Sequence, residues 1–173
     1  MKGHLILVGL PGAGKSTVGP LAARELGWAY LDLDELIEQR TGHSVADIFT
    51  EQGEAAFREL ERTLTIELRT LPPMVLSPGG GWVTTPGNVE LLRPPGTMFY
   101  LEVSVSTALS RMGVGVEARP LLAGPDAEGK LGALLDARKT SYLQANHTVS
   151  VEMLTPTAIA HRIVALARAA TTD

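Results

Sequence analysis

The apolar run His4-Leu5-Ile6-Leu7-Val8 leads directly into Gly9-Leu10-Pro11-Gly12-Ala13-Gly14-Lys15-Ser16. The second segment fits the pattern G-x-x-x-x-G-K-[ST], and its context decides how it folds: a buried strand, a glycine-rich turn, then a helix beginning at about Gly14. Glycines let consecutive backbone N–H groups turn inward around a phosphate with no side chain in the way. The helix N-terminus adds partial positive charge at the same place. Lys15 can reach the β- and γ-phosphates of a nucleotide, and the Ser16 hydroxyl can ligate Mg²⁺. The alternative is a glycine-rich connection carrying a chance lysine; spacing, preceding strand and following helix all speak against it. The motif implies that the chain binds a nucleoside triphosphate.

The rest of the sequence supplies a scaffold for such a turn. Strand-like runs at His4–Val8, Ala29–Asp32, Met74–Ser77, Thr97–Glu102 and Thr148–Glu152 alternate with helical patterns. The helices are expected near Lys15–Leu26, Glu54–Thr70, Thr85–Leu92, Ser104–Met112 and Glu128–Tyr142. A last one runs over Pro156–Ala170, with Thr155 as N-cap and Pro156 at its first position. Alternation of this kind predicts an α/β three-layer sandwich, a parallel sheet covered on both faces. Asp34–Gly53 reads as short helices inserted after the second strand, and Gly113–Pro125 as a glycine-containing loop. At 173 residues the chain is expected to form one domain.

Composition narrows the function classes. There are no cysteines, so neither a disulfide framework nor a thiolate metal site is available. A net charge of −4 with no Lys/Arg run argues against nucleic acid as the main partner. No apolar stretch approaches the roughly 20 residues a membrane helix needs, and the N-terminal run is too short for a signal peptide. A cytoplasmic enzyme without a membrane partner is the expectation, and a monomer, since no exposed apolar stripe stands out.

In open parallel sheets, ligands bind beyond the carboxyl ends of the strands. Three unusual clusters fall at such ends: the glycine-rich turn, Asp32-Leu33-Asp34 and Pro78-Gly79-Gly80-Gly81. They therefore share one rim. In an extended chain Asp32 and Asp34 would point the same way, one toward the nucleotide's Mg²⁺ and one toward a hydroxyl about to be phosphorylated; Asp34 as a simple helix cap is the alternative. Gly79–Gly81 offers backbone N–H groups to a ligand or forms a plain turn. In the helix near Glu54–Thr70, Phe57, Leu60, Leu64, Leu68 and Leu71 form a core stripe bordered by Arg58. Glu61, at i+3, can hold Arg58 to clamp an anion, unless the two make only a surface pair. Arg119-Pro120-Leu121-Leu122 closes the glycine-containing loop and reads as a lid bringing charge onto the phosphoryl group, or as an ordinary loop. Arg138 is a second clamp or a snorkelling surface arginine. The four histidines show no metal-ligand or triad spacing.

Taken in order, the motifs at 9–19, Leu31-Asp32-Leu33-Asp34, Ile48-Phe49 with Gly53-Glu54, Phe57-Arg58-Glu59-Leu60-Glu61, Gly79-Gly80-Gly81, Arg119-Pro120-Leu121-Leu122 and Arg138…Tyr142 resemble shikimate kinase, of the nucleoside monophosphate kinase-like P-loop group. The resemblance runs from about Leu5 to Val164. It implies a five-stranded sheet of order 2-3-1-4-5, a substrate-binding insertion at about 33–61 and a mobile lid at about 113–125. It implies transfer of the ATP γ-phosphoryl group to the 3-hydroxyl of shikimate, on the route to chorismate and the aromatic amino acids. By the same resemblance Lys15, Asp34 and Arg119 are catalytic. ATP is bound by Gly12, Ala13, Gly14, Lys15, Ser16, Thr17 and Arg119, with Arg111 and Pro156 at the adenine. Shikimate is held by Asp34, Arg58, Gly79, Gly80, Gly81 and Arg138, and Mg²⁺ by Ser16 and, through water, Asp32. Val45, Phe49, Phe57, Pro120 and Leu121 form an apolar wall. Four features depart from the family: Trp82 follows the glycines where a smaller residue is usual, Pro78 precedes them, Glu117 places negative charge in the lid, and the lid is about one residue off the expected length. A kinase of another small metabolite, such as a gluconate or nucleotide kinase, is the competing reading. A GTP-dependent switch lacks its Asn-Lys-x-Asp segment here.

Overall fold

The computed structural model describes residues 3–116 and 119–170. Five parallel strands form one sheet: β1 (Leu5–Val8), β2 (Tyr30–Asp32), β3 (Val75–Ser77), β4 (Thr97–Glu102) and β5 (His147–Ser150), in the order β2-β3-β1-β4-β5. β1 is central because every one of its residues is apolar, which suits a strand covered on both faces. It pairs with β3 (Leu5↔Val75) on one side and with β4 (Val8↔Tyr100) on the other, and is fully buried. Three strands begin one residue later than the hydrophobic pattern suggests, and β5 lies one to two residues earlier. His4 stands outside β1 for a visible reason. Its ring bridges two other segments, Nε2 meeting Leu68 O at 2.8 Å and Nδ1 accepting the Met74 N–H at 3.2 Å.

Helix α1 (Lys15–Leu26) starts and stops at glycines, Gly14 and Gly27, both left-handed. It packs on α8 (Pro156–Ala169), which has its Thr155 cap and Pro156 entry as expected. Ile163 and Val164 of α8 are fully buried, and each such side chain contributes about 1.5–3 kcal/mol. After β2 the insertion forms α2 (Leu33–Thr41), α3 (Val45–Glu51) and α4 (Gly53–Leu68). These close over a second, smaller core of Ile37, Ile48, Phe57 and Leu64, with the Phe49 and Phe57 rings 5.0 Å apart.

Two sequence expectations fail here. Leu71, assigned to the buried stripe of α4, is 48 % exposed, because the helix ends at Leu68 and the chain turns toward Pro72-Pro73. The helix expected from Thr85 begins only at Asn88: α5 is Asn88–Leu92, preceded by a 3₁₀ turn at Trp82–Thr84. Pro86 and the left-handed Gly87 separate the two. On the other flank lie α6 (Val105–Met112), a 3₁₀ turn at Gly113–Val116, and α7 (Ala127–Tyr142). Glu117, expected to place negative charge in the lid, lies outside the described residues.

Candidate active site

The carboxyl ends of β1, β2 and β3 open on one cleft of about 550 Å³, lined by residues 11–18 together with Asp32, Asp34, Gly79, Gly80, Arg111, Arg119 and Pro156. The turn that forms its floor requires glycine at position 12. There φ is 81°, and a Cβ would run into the Ala108 carbonyl. α1 has no side-chain cap and no acidic residue in its first turn, so the positive end of its dipole meets the cleft unopposed. The Lys15 ammonium donates to Gly9 O (2.8 Å) and Leu10 O (3.0 Å). Burial pushes its pKa down to about 8, against the raising influence of Asp34 and Asp32.

Asp32 and Asp34 do share the cleft, though not through an extended dipeptide. The chain turns helical at Leu33, and Asp32 rather than Asp34 is the N-cap. Its Oδ1 accepts the Asp34 N–H at 3.0 Å, and its Oδ2 accepts the Tyr30 hydroxyl at 3.3 Å. Asp34, in the first turn, keeps Oδ1 buried without a hydrogen-bond partner. Burial first, then repulsion from Asp32, raises its pKa from 3.8 to about 6, while Lys15, Arg58 and Arg119 act the other way. Two pH effects follow. A base must be ionised to accept a proton, so if Asp34 is the base of a proton transfer here, kcat/KM falls tenfold per pH unit once pH drops below about 6. The raised native pKa also means that Asp34 binds its proton more tightly when folded, so its contribution to stability declines as pH rises from about 4 through 6. A pH–rate profile flat down to pH 5 contradicts the first.

A second cavity of about 240 Å³ adjoins the first, walled by Val45, Phe49, Phe57, Pro120 and Leu121, with Arg58 and Arg138 among its lining. Arg138 is 7 % exposed, which decides between the two readings of it: it faces the cavity rather than snorkelling. Arg58 is held by Glu61 (Nη1–Oε2, 2.5 Å) and by Glu54 (Nη2–Oε1, 2.8 Å). Burial pushes the Glu61 carboxyl up to about 7, against the pull of Arg58.

Each of the three glycines makes room for a different group of this cavity. A Cβ at Gly79 would sit 2.8 Å from Asp34 Oδ1, one at Gly80 2.9 Å from Arg138 Nη1, and one at Gly81 2.7 Å from Arg58 Cζ. The glycine segment is also anchored at two points. Tyr142, on the helix that carries Arg138, donates its hydroxyl to Gly80 O at 2.8 Å and stacks on Tyr100. Trp82, next to Gly81, is fully buried and donates to Thr65 Oγ1 of α4 at 2.8 Å. The bulky residue after the glycines is thus an anchor behind the loop, not an obstruction in it. Pro11, Asp34, Gly79, Gly80 and Arg119 line both cavities. Asp34 and Arg119 are the charged residues on that shared border.

The structure brings all the sequence-assigned site residues to these two cavities. Arg111 borders the larger one with Pro156 and donates to Val151 O at 2.6 Å. Sequence reasoning placed Glu54 in a motif but gave it no part in holding Arg58, and it missed Leu154 at the larger cavity and the acidic pair Glu35 and Glu38 lining the smaller one. That part could have been found, since Glu54 lies one helical turn before Arg58 at i,i+4. Nothing in the sequence marks Leu154.

Comparison with known proteins identifies the family. A family model described as shikimate kinase matches residues 11–168. The chain is 42% identical over 161 residues to a shikimate kinase of Synechococcus sp. (strain RCC307), spanning 93% of this chain and 82% of that one. It is 44% identical over 160 residues to a shikimate kinase of Mycobacterium tuberculosis (strain ATCC 25177 / H37Ra), covering 92% and 90% of the two chains. Among solved structures, shikimate kinase from Acinetobacter baumannii in complex with shikimate superposes with a TM-score of 0.94. It is 34% identical, and the match covers 100% of this chain and 97% of that one. A gluconokinase from Sinorhizobium meliloti 1021, at 18% identity and a TM-score of 0.63, shares the fold alone.

Proposed function

The chain belongs to the shikimate kinase family, and on that premise we propose how its own residues transfer the ATP γ-phosphoryl group to the 3-hydroxyl of shikimate. The observation that carries the reading is the junction of a phosphate-loop cleft with a smaller cavity holding two arginines, Asp34 and Arg119 standing on the border. ATP occupies the cleft. Gly12, Ala13, Gly14, Lys15, Ser16 and Thr17 surround its phosphates, and Arg111 and Pro156 flank the adenine. Shikimate occupies the smaller cavity, its carboxylate on Arg58 and Arg138 and its ring between Gly79–Gly81 and the apolar wall. Arginine suits that task because its planar fork matches a carboxylate.

In the transfer, the 3-hydroxyl oxygen bonds to the γ-phosphorus as the bond to the β–γ bridging oxygen breaks, and the hydroxyl proton passes to Asp34. The products are shikimate 3-phosphate and ADP. Lys15 and Arg119 stabilise charge on the phosphoryl oxygens. The exposed Ser16 hydroxyl and the Asp32 carboxylate face one cleft and are oxygen donors of the kind a hard cation takes. Ser16 directly, and Asp32 through water, would hold Mg²⁺, which supplies neutralisation of phosphate charge. Among the described residues no group of three or more His, Asp or Glu side chains could hold a metal by itself; the ion would come bound to the nucleotide. The apolar wall and the lid exclude water, which would otherwise compete for the phosphoryl group.

In this reading residues 1–173 are one kinase domain, with 33–61 the substrate-binding insertion and 113–125 the lid. The product feeds chorismate and aromatic amino acid synthesis. We further take the protein as a cytoplasmic monomer without a nucleic-acid or membrane partner; the net charge of −4 argues against nucleic acid, and no described helix is long and apolar enough to cross a bilayer. The clamp is tested by Arg58→Ala. Losing charge-assisted hydrogen bonds raises the KM for shikimate about ten- to hundredfold, while the KM for ATP stays within about twofold. Equal effects on both contradict the assignment.

A further inference from the structure

Arg58 is held by two glutamates. Glu61 takes Nη1 from a side chain that is 0% exposed, whereas Glu54 approaches from solvent with its side chain 54% exposed. Glu54 Oε1 accepts from both Nε (3.2 Å) and Nη2 (2.8 Å), the two nitrogens that form the side-on fork of a guanidinium. That fork is the edge on which arginine binds a carboxylate with two parallel hydrogen bonds. An incoming acceptor anion therefore meets a guanidinium whose charge is already balanced and whose side-on edge is filled.

We propose that Glu54 competes with the acceptor's carboxylate for Arg58, and so sets the affinity for shikimate; this rests on the reading of Arg58 as the carboxylate clamp. The two glutamates differ in what they can do. Glu61 is enclosed, with its second oxygen buried near Gly79, so it stays with Arg58 and fixes the guanidinium in place. Glu54 sits in the first turn of α4 at the surface, where its carboxylate can return to water at little cost. A substrate carboxylate displaces it by offering the same ion pair from inside the cavity. An acceptor lacking an acid group leaves the Glu54 pair intact and gains nothing from Arg58, so Glu54 weakens the binding of acids and leaves that of neutral acceptors unchanged.

The test is steady-state kinetics of Glu54→Gln, Arg58→Ala and the double variant, with melting curves of each. Glu54→Gln lowers the KM for shikimate about two- to fivefold, the range set by an exposed ion pair, with no matching change in the KM for ATP. In the Arg58→Ala background the same substitution has no effect, because the contested group is gone. A KM for shikimate that is unchanged or raised in Glu54→Gln overturns the proposal and makes Glu54 a support for Arg58 instead. A fall that persists without Arg58 overturns it as well. If Arg58→Ala itself leaves the KM for shikimate unchanged, the clamp reading fails first, and the proposal with it.

Discussion

Asparagine in place of Asp34 removes turnover while ATP binds nearly as tightly as before. The substitution keeps the side chain's size but not its basicity, and general-base assistance is worth about 10²–10⁴-fold in rate. The structure puts the upper part of that range within reach. Asp34 stands where the two cavities meet, with one carboxylate oxygen buried and unpartnered. Burial and Asp32 hold its pKa near 6, closer to neutrality than a free aspartate. On the proposed assignment Asp34 acts on the acceptor, so its loss is expected in kcat, and nucleotide affinity measured by titration calorimetry stays within a few-fold of wild type. Loss of ATP binding in this variant would instead make Asp34 part of the nucleotide site.

Arg119→Ala is the second large effect. Arg119 is the one arginine, among the described residues, that lines both cavities. It lines the smaller cavity beside Pro120, Leu121 and the buried Leu122. A cation brought onto the transferring phosphoryl group acts when charge spreads over its oxygens in the transition state, and arginines in that role are worth about 10³–10⁵-fold. The expected result is a fall of about 10³-fold or more in kcat, with little change in the affinity for shikimate. Arg119→Lys recovers only a fraction, since an ammonium cannot reproduce the planar fork. A tenfold loss or less, measured by single-turnover kinetics, places Arg119 outside the transition state.

Much of this was legible in the sequence because it rests on local rules. The strand, turn and helix around Gly9–Ser16 are specified by apolar run, glycine spacing and lysine, and α1 falls on the residues expected, Lys15–Leu26. The five-stranded order β2-β3-β1-β4-β5 agrees with what the family resemblance implies. What the sequence concealed depends on how distant segments meet. The spacing of Asp32 and Asp34 suggested two carboxylates on one side of a strand; the chain instead turns into α2, and Asp32 is spent partly on capping it. Three consecutive glycines pointed to close approach by a ligand. The folded chain adds a nearer reason, since Asp34, Arg138 and Arg58 each occupy the space in front of one of them. Those three residues lie on α2, α7 and α4, and no periodicity within one helix predicts their convergence. Trp82 looked like a departure and is a buried anchor to Thr65. Leu71 followed the helical spacing of its neighbours, but the helix stopped first.

The central claim is that the second cavity takes shikimate and that the phosphoryl group crosses into it. Its most direct test is ADP release from Mg-ATP, measured with shikimate, with gluconate, with nucleoside monophosphates and with no acceptor. The account predicts release that depends on shikimate, with formation of shikimate 3-phosphate in equal amount and no stimulation by the others. Binding of ATP without shikimate-dependent release, or equal release with gluconate, contradicts it.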